Sequence, residues 1–227
     1  MTTTPAIPDP RPGGGRCVLL AGGSGLVGRE LLRHLLADAS VAQVHSLARR
    51  ELSGRDPKLT QHVVDFGALP ALPTVDEAYI ALGTTIKVAG SQAAFRAVDF
   101  EAVVAAAQAA RAAGATRLGV VSAMGADPRS RVFYSRVKGE TEAALAALGF
   151  ETLVIARPSL LVGDRHAVGQ PVRRGEEIGL RVSRWIGALI PANYRPLEAA
   201  KVARALLDTV PHGTGVRVLS SGEMQRH

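Results

Sequence analysis

The chain has 227 residues, 47% of them hydrophobic, which is enough to bury a sizeable core in one α/β domain and leaves no comfortable room for a second of full size. The formal charge of +7 is spread along the sequence, and five Phe, three Tyr and one Trp offer little for base stacking, so the basic balance points to an anionic small ligand rather than nucleic acid. No apolar run approaches the ~20 residues of a membrane helix and the N-terminus lacks the pattern of a signal peptide, so stable membrane insertion is not expected and the cytoplasm is the default location.

Residues 1–15 carry Pro5, Pro8, Pro10, Pro12 and Gly13 to Gly15, a composition that reads as a flexible leader before a domain over 16–227. Cys17 to Ala21 form an apolar run of the kind buried on both faces of a parallel sheet, and Cys17, the single cysteine, reads as a structural thiol. A glycine-rich turn follows at once. Gly23, Gly25 and Gly28 fit G-x-G-x-x-G, while Gly22, Gly25 and Gly28 fit G-x-x-G-x-x-G, and either register serves a tight turn and close approach of backbone to a pyrophosphate. Val27, Leu31 and Leu35, with Leu32 and Leu36 beside them, then recur at helical spacing, so the helix would aim its N-terminal amides at the phosphates. Gly22, Ser24, Gly25, Leu26, Val27 and Gly28 are the candidate phosphate contacts.

Val44 to Ala48 reads as a second strand leading into Arg49 and Arg50, and Val63 and Val64 as a third leading to Asp65 and Phe66. Only about a dozen residues separate these two strands, so any helix between them is short or replaced by a loop. Ala78 to Leu82 is a fourth apolar run, ending at Gly83, Thr84 and Thr85, and an alanine-rich helix is expected from about Ser91 to Ala113, closed by Gly114. Leu118 to Val121 forms a fifth strand stopping at Ser122, with a loop to Arg131. Phe133 to Leu148 is helical, Gly149 ends it, and Leu153 to Ala156 makes a sixth strand before Arg157 and Pro158. From about 166 to 195 the rhythm is lost, and Arg173, Arg174, Arg181, Arg184, Trp185, Ile186 and Ile190 suit either a substrate-covering segment or a peripheral helix with solvated arginines. Leu197 to Leu207 reads as a helix and Val216 to Leu219 as a last strand. The alternation specifies a doubly wound parallel sheet of the Rossmann type, which binds ligands beyond the carboxyl ends of its strands where the strand order reverses.

Folds that prefer NAD place an acidic side chain after the second strand to hold the ribose 2'-hydroxyl. Here Ala48, Arg49 and Arg50 stand there, about twenty residues after Gly28, and guanidinium groups clamp a 2'-phosphate, so NADP(H) is the expected cofactor. Asp65 is placed to hold the adenine amino group, although an aspartate capping a turn is equally ordinary, and Gly83 and Thr84 would let backbone pass close to the adenosine ribose and pyrophosphate.

Tyr134 and Lys138 lie four apart on a predicted helix and project from one face. A phenol of ordinary pKa ~10 is a poor acid–base group near neutrality, and an ammonium ~4 Å away at an effective dielectric of ~20 would favour the phenolate by roughly three pKa units at most. Ser122, at the end of a neighbouring strand, is placed to hydrogen-bond the same substrate oxygen. No metal site is expected.

GGSGLVG at Gly22 to Gly28, LGTT at Leu82 to Thr85, VSAMGAD at Val121 to Asp127, YSRVKGETE at Tyr134 to Glu142 and ARPSLLVGDR at Ala156 to Arg165 together resemble the atypical, single-domain short-chain dehydrogenases/reductases, the Tat-interacting-protein oxidoreductase group and its bacterial relatives. The resemblance runs from about Cys17 to Leu207. It implies a seven-stranded parallel sheet, NADP(H), a Ser122/Tyr134/Lys138 triad in which Lys138 also holds the nicotinamide ribose, and a nicotinamide pocket lined by Pro158, Ser159 and Leu160. One departure matters. Many members complete a proton relay with an asparagine on the long central helix, whereas this chain reads VDFEAVV there, with Asp99 the nearest polar residue.

The leading expectation is an NADPH-dependent oxidoreductase of a small carbonyl or alcohol. A nucleotide-sugar epimerase or dehydratase shares the motifs, but only about sixty residues follow the sixth strand, short for its substrate domain. The third reading is a non-catalytic NADP(H) sensor that changes its grip on a protein partner. The substrate is not legible, and a homodimer is the assembly to look for.

Overall fold

The computed structural model describes residues 14–162, 193 and 195–227. Seven strands form one parallel sheet: β1 (Arg16–Ala21), β2 (Val41–Ala48), β3 (Leu59–Val63), β4 (Glu77–Ile80), β5 (Arg117–Val121), β6 (Thr152–Arg157) and β9 (Gly215–Ser220), in the order β3-β2-β1-β4-β5-β6-β9. Sequence order runs outward in both directions from β1 and β4, so the ends of these two strands flank the switch point. A separate pair, β7 (Leu161–Val162) with β8 (Leu197–Glu198), joins the stretch after β6 to the start of the next helix.

Burial on both faces explains why β1 is apolar from Cys17 to Ala21. Val18 and Leu20 face one side with Leu31 and Leu35 of α1 (Leu26–Ala37) and with Val202 and Leu206 of the C-terminal helix Ala199–Thr209. Cys17, Leu19 and Ala21 face the other, with Ala106 and Ala110 of the helix Val103–Ala112 and Leu145 of the helix Phe133–Ala146. Alternate residues of a strand point to opposite faces, so both periodicities of the core are written in the same few residues.

The expected single helix from Ser91 to Ala113 is interrupted. A short helix, α2 (Ile86–Ala89), precedes it, and the expected span holds α3 (Gln92–Arg96), a π-helical segment (Ala97–Ala102) and α4 (Val103–Ala112). Gly90, at φ +83°, ends α2, and the Ser91 side chain caps α3 by accepting from the Ala94 amide at 3.1 Å. In the π-helical segment Asp99 turns inward, fully buried, and its main-chain oxygen lies 2.9 Å from the Thr141 hydroxyl of α5 (Phe133–Ala146). Such a widening of the ladder needs partners outside the helix, and sequence periodicity is blind to it because the apolar spacing barely changes.

The third strand lies earlier than expected, at Leu59–Val63, because its pairing with β2 starts at Val44 opposite Leu59. The C-terminal helix, α6 (Ala199–Thr209), starts two residues late because Leu197 and Glu198 are taken by β8; a final turn, α7 (Ser221–Met224), has a capping box between Ser220 and Glu223. Most of the arginine-rich stretch expected to cover substrate, including Arg173, Arg174, Arg181, Arg184 and Trp185, lies outside the described residues, as does most of the expected leader.

Candidate active site

The turn after β1 decides between the two glycine registers. Gly22 has φ +94°, and a Cβ there would stand 2.6 Å from the Ala81 carbonyl, while a Cβ on Gly28 would stand 2.0 Å from the Gly22 oxygen. Both positions require glycine for the fold. Gly23 is less constrained, since its nearest neighbour would be the movable Leu52 Cδ1 at 3.0 Å, so the working spacing is Gly22, Gly25 and Gly28. Gly25 differs again: a Cβ there would meet only the Gly22 oxygen at 3.4 Å and the Ala81 oxygen at 3.8 Å. The fold tolerates a side chain that a ligand pressed against this turn would not. Gly25 is the N-cap of α1, no acidic residue occupies the first turn, and the amides of that turn lack intrahelical acceptors, which suits a pyrophosphate. Ser24 is exposed and Leu26 half-buried, whereas the Val27 side chain is buried in the core and has only its amide to offer.

β2 runs beside β1, with Leu47 opposite Ala21, so Arg49 and Arg50 emerge next to this turn, both exposed and without an ion pair among the described residues. Asp65 is exposed, and its Oδ1 accepts the Gly67 amide at 2.9 Å, which is the ordinary turn-capping role. Phe66 packs against the second core cluster, so its side chain serves the core.

β4 stops at Ile80, short of the expected run to Leu82, and Ala81 and the segment Leu82 to Thr85 follow it, with Ala81 against Gly22 of the same turn. Thr85 caps α2 through its side-chain oxygen, and the Thr84 amide donates to Asp99 Oδ2 at 2.8 Å. Asp99 Oδ1 lies 2.7 Å from Lys138 Nζ, both side chains being almost fully buried, and a Cβ on Gly83 would sit 3.4 Å from the same carboxylate oxygen. Asp99 thus ties the end of β4 to the middle of α5. Tyr134, one turn before Lys138, is half-buried with its ring 5.5 Å from that of Phe95. Burial pushes the Tyr134 phenol above its ordinary pKa, Lys138 pulls it down and Asp99 pushes it up. Lys138 acts on the phenol in the expected direction, but desolvation by burial outweighs it, so the net shift is upward.

No hydrogen bond joins Ser122 to Tyr134 among the described residues. Ser122 is buried, and its hydroxyl donates to Glu142 Oε1. Glu142 is gripped in turn by Arg157, whose Nε lies 3.1 and 3.2 Å from the two carboxylate oxygens and whose Nη2 lies 2.5 Å from Oε2. Glu142 and Arg157 went unrecognised as site residues in the sequence, although Tyr134, Lys138 and Glu142 follow one another at intervals of four and so share a helix face. Pro158 is buried, with its carbonyl accepting the Met124 amide at 2.9 Å, and Ser159 Oγ bridges the Arg195 carbonyl at 2.7 Å and Ser221 Oγ at 2.9 Å. Those bonds anchor the loop after β6, on which Leu160 stands exposed.

No family model matches the chain. It is 33% identical to protein HTATIP2 of Rattus norvegicus over 210 residues, which covers 88% of this chain and 84% of that protein. The chain belongs to the HTATIP2 family of atypical short-chain dehydrogenases/reductases. The family extends to fungi: protein FMP52, mitochondrial, of Coccidioides immitis is 35% identical over 236 residues, covering 91% of this chain and 94% of that protein. Among solved structures, the Bordetella bronchiseptica enzyme WbmG in complex with NAD superposes with a TM-score of 0.66 at 19% identity, covering 96% of this chain and 77% of that one. MoeE5 in complex with UDP-glucose and NAD gives 0.65 at 18% identity, covering 89% and 75%. These likenesses establish the doubly wound fold, and none of the helices among the described residues is long and apolar enough to cross a membrane.

Proposed function

We propose that the chain is an NADPH-dependent oxidoreductase acting on a small carbonyl or alcohol, with Tyr134 as the acid–base residue. The observation that carries this reading is the meeting, at the carboxyl ends of the central strands, of a glycine turn with room for a ligand at Gly25 and of the Tyr134–Lys138–Asp99 group. Gly22 to Gly28 would hold the pyrophosphate, Arg49 and Arg50 the 2'-phosphate, and Gly83 and Thr84 the adenosine side. The cofactor, when bound, supplies the nicotinamide that exchanges a hydride with the substrate carbon.

The chain's own residues manage the proton. A phenol raised above its ordinary range is protonated at neutral pH, so Tyr134 donates a hydrogen bond to the substrate oxygen and holds the proton delivered when a carbonyl is reduced. Lys138, held by Asp99, is the cation beside that phenol, and Ser122 supplies the second contact to the same oxygen. Pro158 to Leu160 would bound the nicotinamide side, on a loop braced by Ser159.

Turnover is followed by NADPH absorbance against a panel of aldehydes, ketones and alcohols. Tyr134→Phe should lose turnover and keep NADPH binding; unchanged turnover would sink the assignment. Cofactor that stays with the chain through purification and is not exchanged by added NADPH would favour the epimerase reading.

A further inference from the structure

We propose that Ser122 faces the ligand as a hydrogen-bond acceptor, set in that state by Glu142 and Arg157, and that the site therefore holds its reacting oxygen best as a hydroxyl. This rests on the reading of Ser122 and Tyr134 as the pair that contacts the substrate oxygen.

A serine hydroxyl has one proton to give and lone pairs to receive with. Ser122 spends its proton on Glu142 Oε1, and no other partner of its hydroxyl is found among the described residues. The direction of that bond follows from charge. Arg157 reaches both carboxylate oxygens, at 3.1 and 3.2 Å from Nε and 2.5 Å from Nη2, and a carboxylate gripped by a guanidinium in this two-pronged way offers Ser122 only acceptors. The pairing raises the Arg157 pKa through the same hydrogen bonds. Glu142 is itself buried, so water does not compete well for its oxygens.

The ligand thus meets two groups of opposite character. Tyr134, protonated at neutral pH, donates; Ser122 accepts. An alcohol oxygen satisfies both, accepting from the phenol and giving its own proton to Ser122 Oγ. A carbonyl oxygen satisfies only the phenol and brings its lone pairs against those of Ser122. Glu142 and Arg157 are positioning residues in this scheme: neither touches the ligand, and both act by fixing where the Ser122 proton points. The sequence places them for it, Glu142 one turn beyond Lys138 on α5 and Arg157 at the end of β6, next to the β5 end that carries Ser122.

The test uses the full chain loaded with tetrahydro-NADP, a reduced analogue that cannot transfer hydride, and compares two probes of equal size, 2-propanol and acetone, by ligand-observed NMR titration. The alcohol is expected to bind about tenfold tighter than the ketone, the value of one hydrogen bond made against one left unmade. Glu142→Gln, which presents an amide donor to Ser122 and releases the serine proton toward the ligand, should bring the ratio to one or reverse it, while Ser122→Ala should bring it to one. Thermal unfolding and analogue affinity unchanged from wild type show that each variant is folded. A wild-type ratio of one, a ratio that survives Glu142→Gln, or failure of the loaded chain to hold either probe overturns the inference. Failure of the analogue itself to bind would instead overturn the cofactor reading, so the two are told apart.

Discussion

Replacing Asp99 by Asn isolates the group that opposes Lys138. The amide keeps the shape and a hydrogen bond from the Thr84 amide but removes a charge that stands 2.7 Å from Lys138 Nζ. At an effective dielectric of ~20 that contact is worth about 6 kcal/mol of gross attraction, much of it offset by the desolvation of two buried groups. Its loss leaves an uncompensated ammonium one helical turn from the Tyr134 phenol, and a single charge at that range moves a pKa by about 1–3 units. The sign is downward, because a cation favours phenolate and the anion that opposed it is gone. Spectrophotometric titration of tyrosinate, with Tyr134→Phe as the blank that identifies the signal, needs neither cofactor nor substrate. Asp99→Asn should bring the Tyr134 titration down by about 1–3 units and displace the alkaline limb of reductive turnover to lower pH by the same amount. An unmoved or raised phenol would refute the reasoning, as would a Lys138 that gave up its own proton on losing Asp99.

The glycine turn offers a paired contrast. Gly25→Val should leave the folded chain intact and abolish NADPH binding, whereas Gly28→Ala, whose Cβ would stand 2.0 Å from a backbone oxygen, should destabilise the fold by roughly 1–3 kcal/mol or more, both read by thermal unfolding and cofactor titration. Cofactor affinity that survived Gly25→Val would remove the first link of the functional argument. Reversing charge at Arg49 and Arg50 together should weaken NADPH at least about tenfold and leave NADH affinity unchanged or improved, since only the 2'-phosphate distinguishes the two. His45, buried beside His62 at 3.1 Å, has its pKa lowered first by burial and then by that neighbour. The unfolded chain takes up this proton near pH ~6.5 and the folded chain only lower, so stability is present above that pH and declines as pH falls through it. His45→Gln should flatten the decline in denaturant midpoints measured between neutral and mildly acidic pH.

Local chemistry carried most of the fold. The alternation of short apolar runs with helical periodicity announced a doubly wound sheet, and the strand ends at Ala21, Ala48, Val121 and Arg157 lie within a residue of where the apolar runs stop, because burial on both faces leaves an unbroken hydrophobic signature. The broken central helix was not legible. Its cause is a set of bonds from Asp99 to Thr84, Lys138 and Thr141, partners drawn from segments 15 to 42 residues away, which no local period records. The same holds for the site. The residue types were visible in the motifs, with Asp99 the polar residue nearest the region where the resemblance leads one to look for an asparagine, and so was the shared face of Tyr134 and Lys138. What the fold alone decided was burial and partnership: that the Tyr134 phenol is desolvated enough to be raised despite Lys138, that Lys138 pairs with Asp99, and that Ser122 spends its proton on Glu142. Sequence determines which groups can ionise, donate or accept. Their charge state and the direction of each proton depend on which of them share a buried space, and that is a property of the packed sheet and helices.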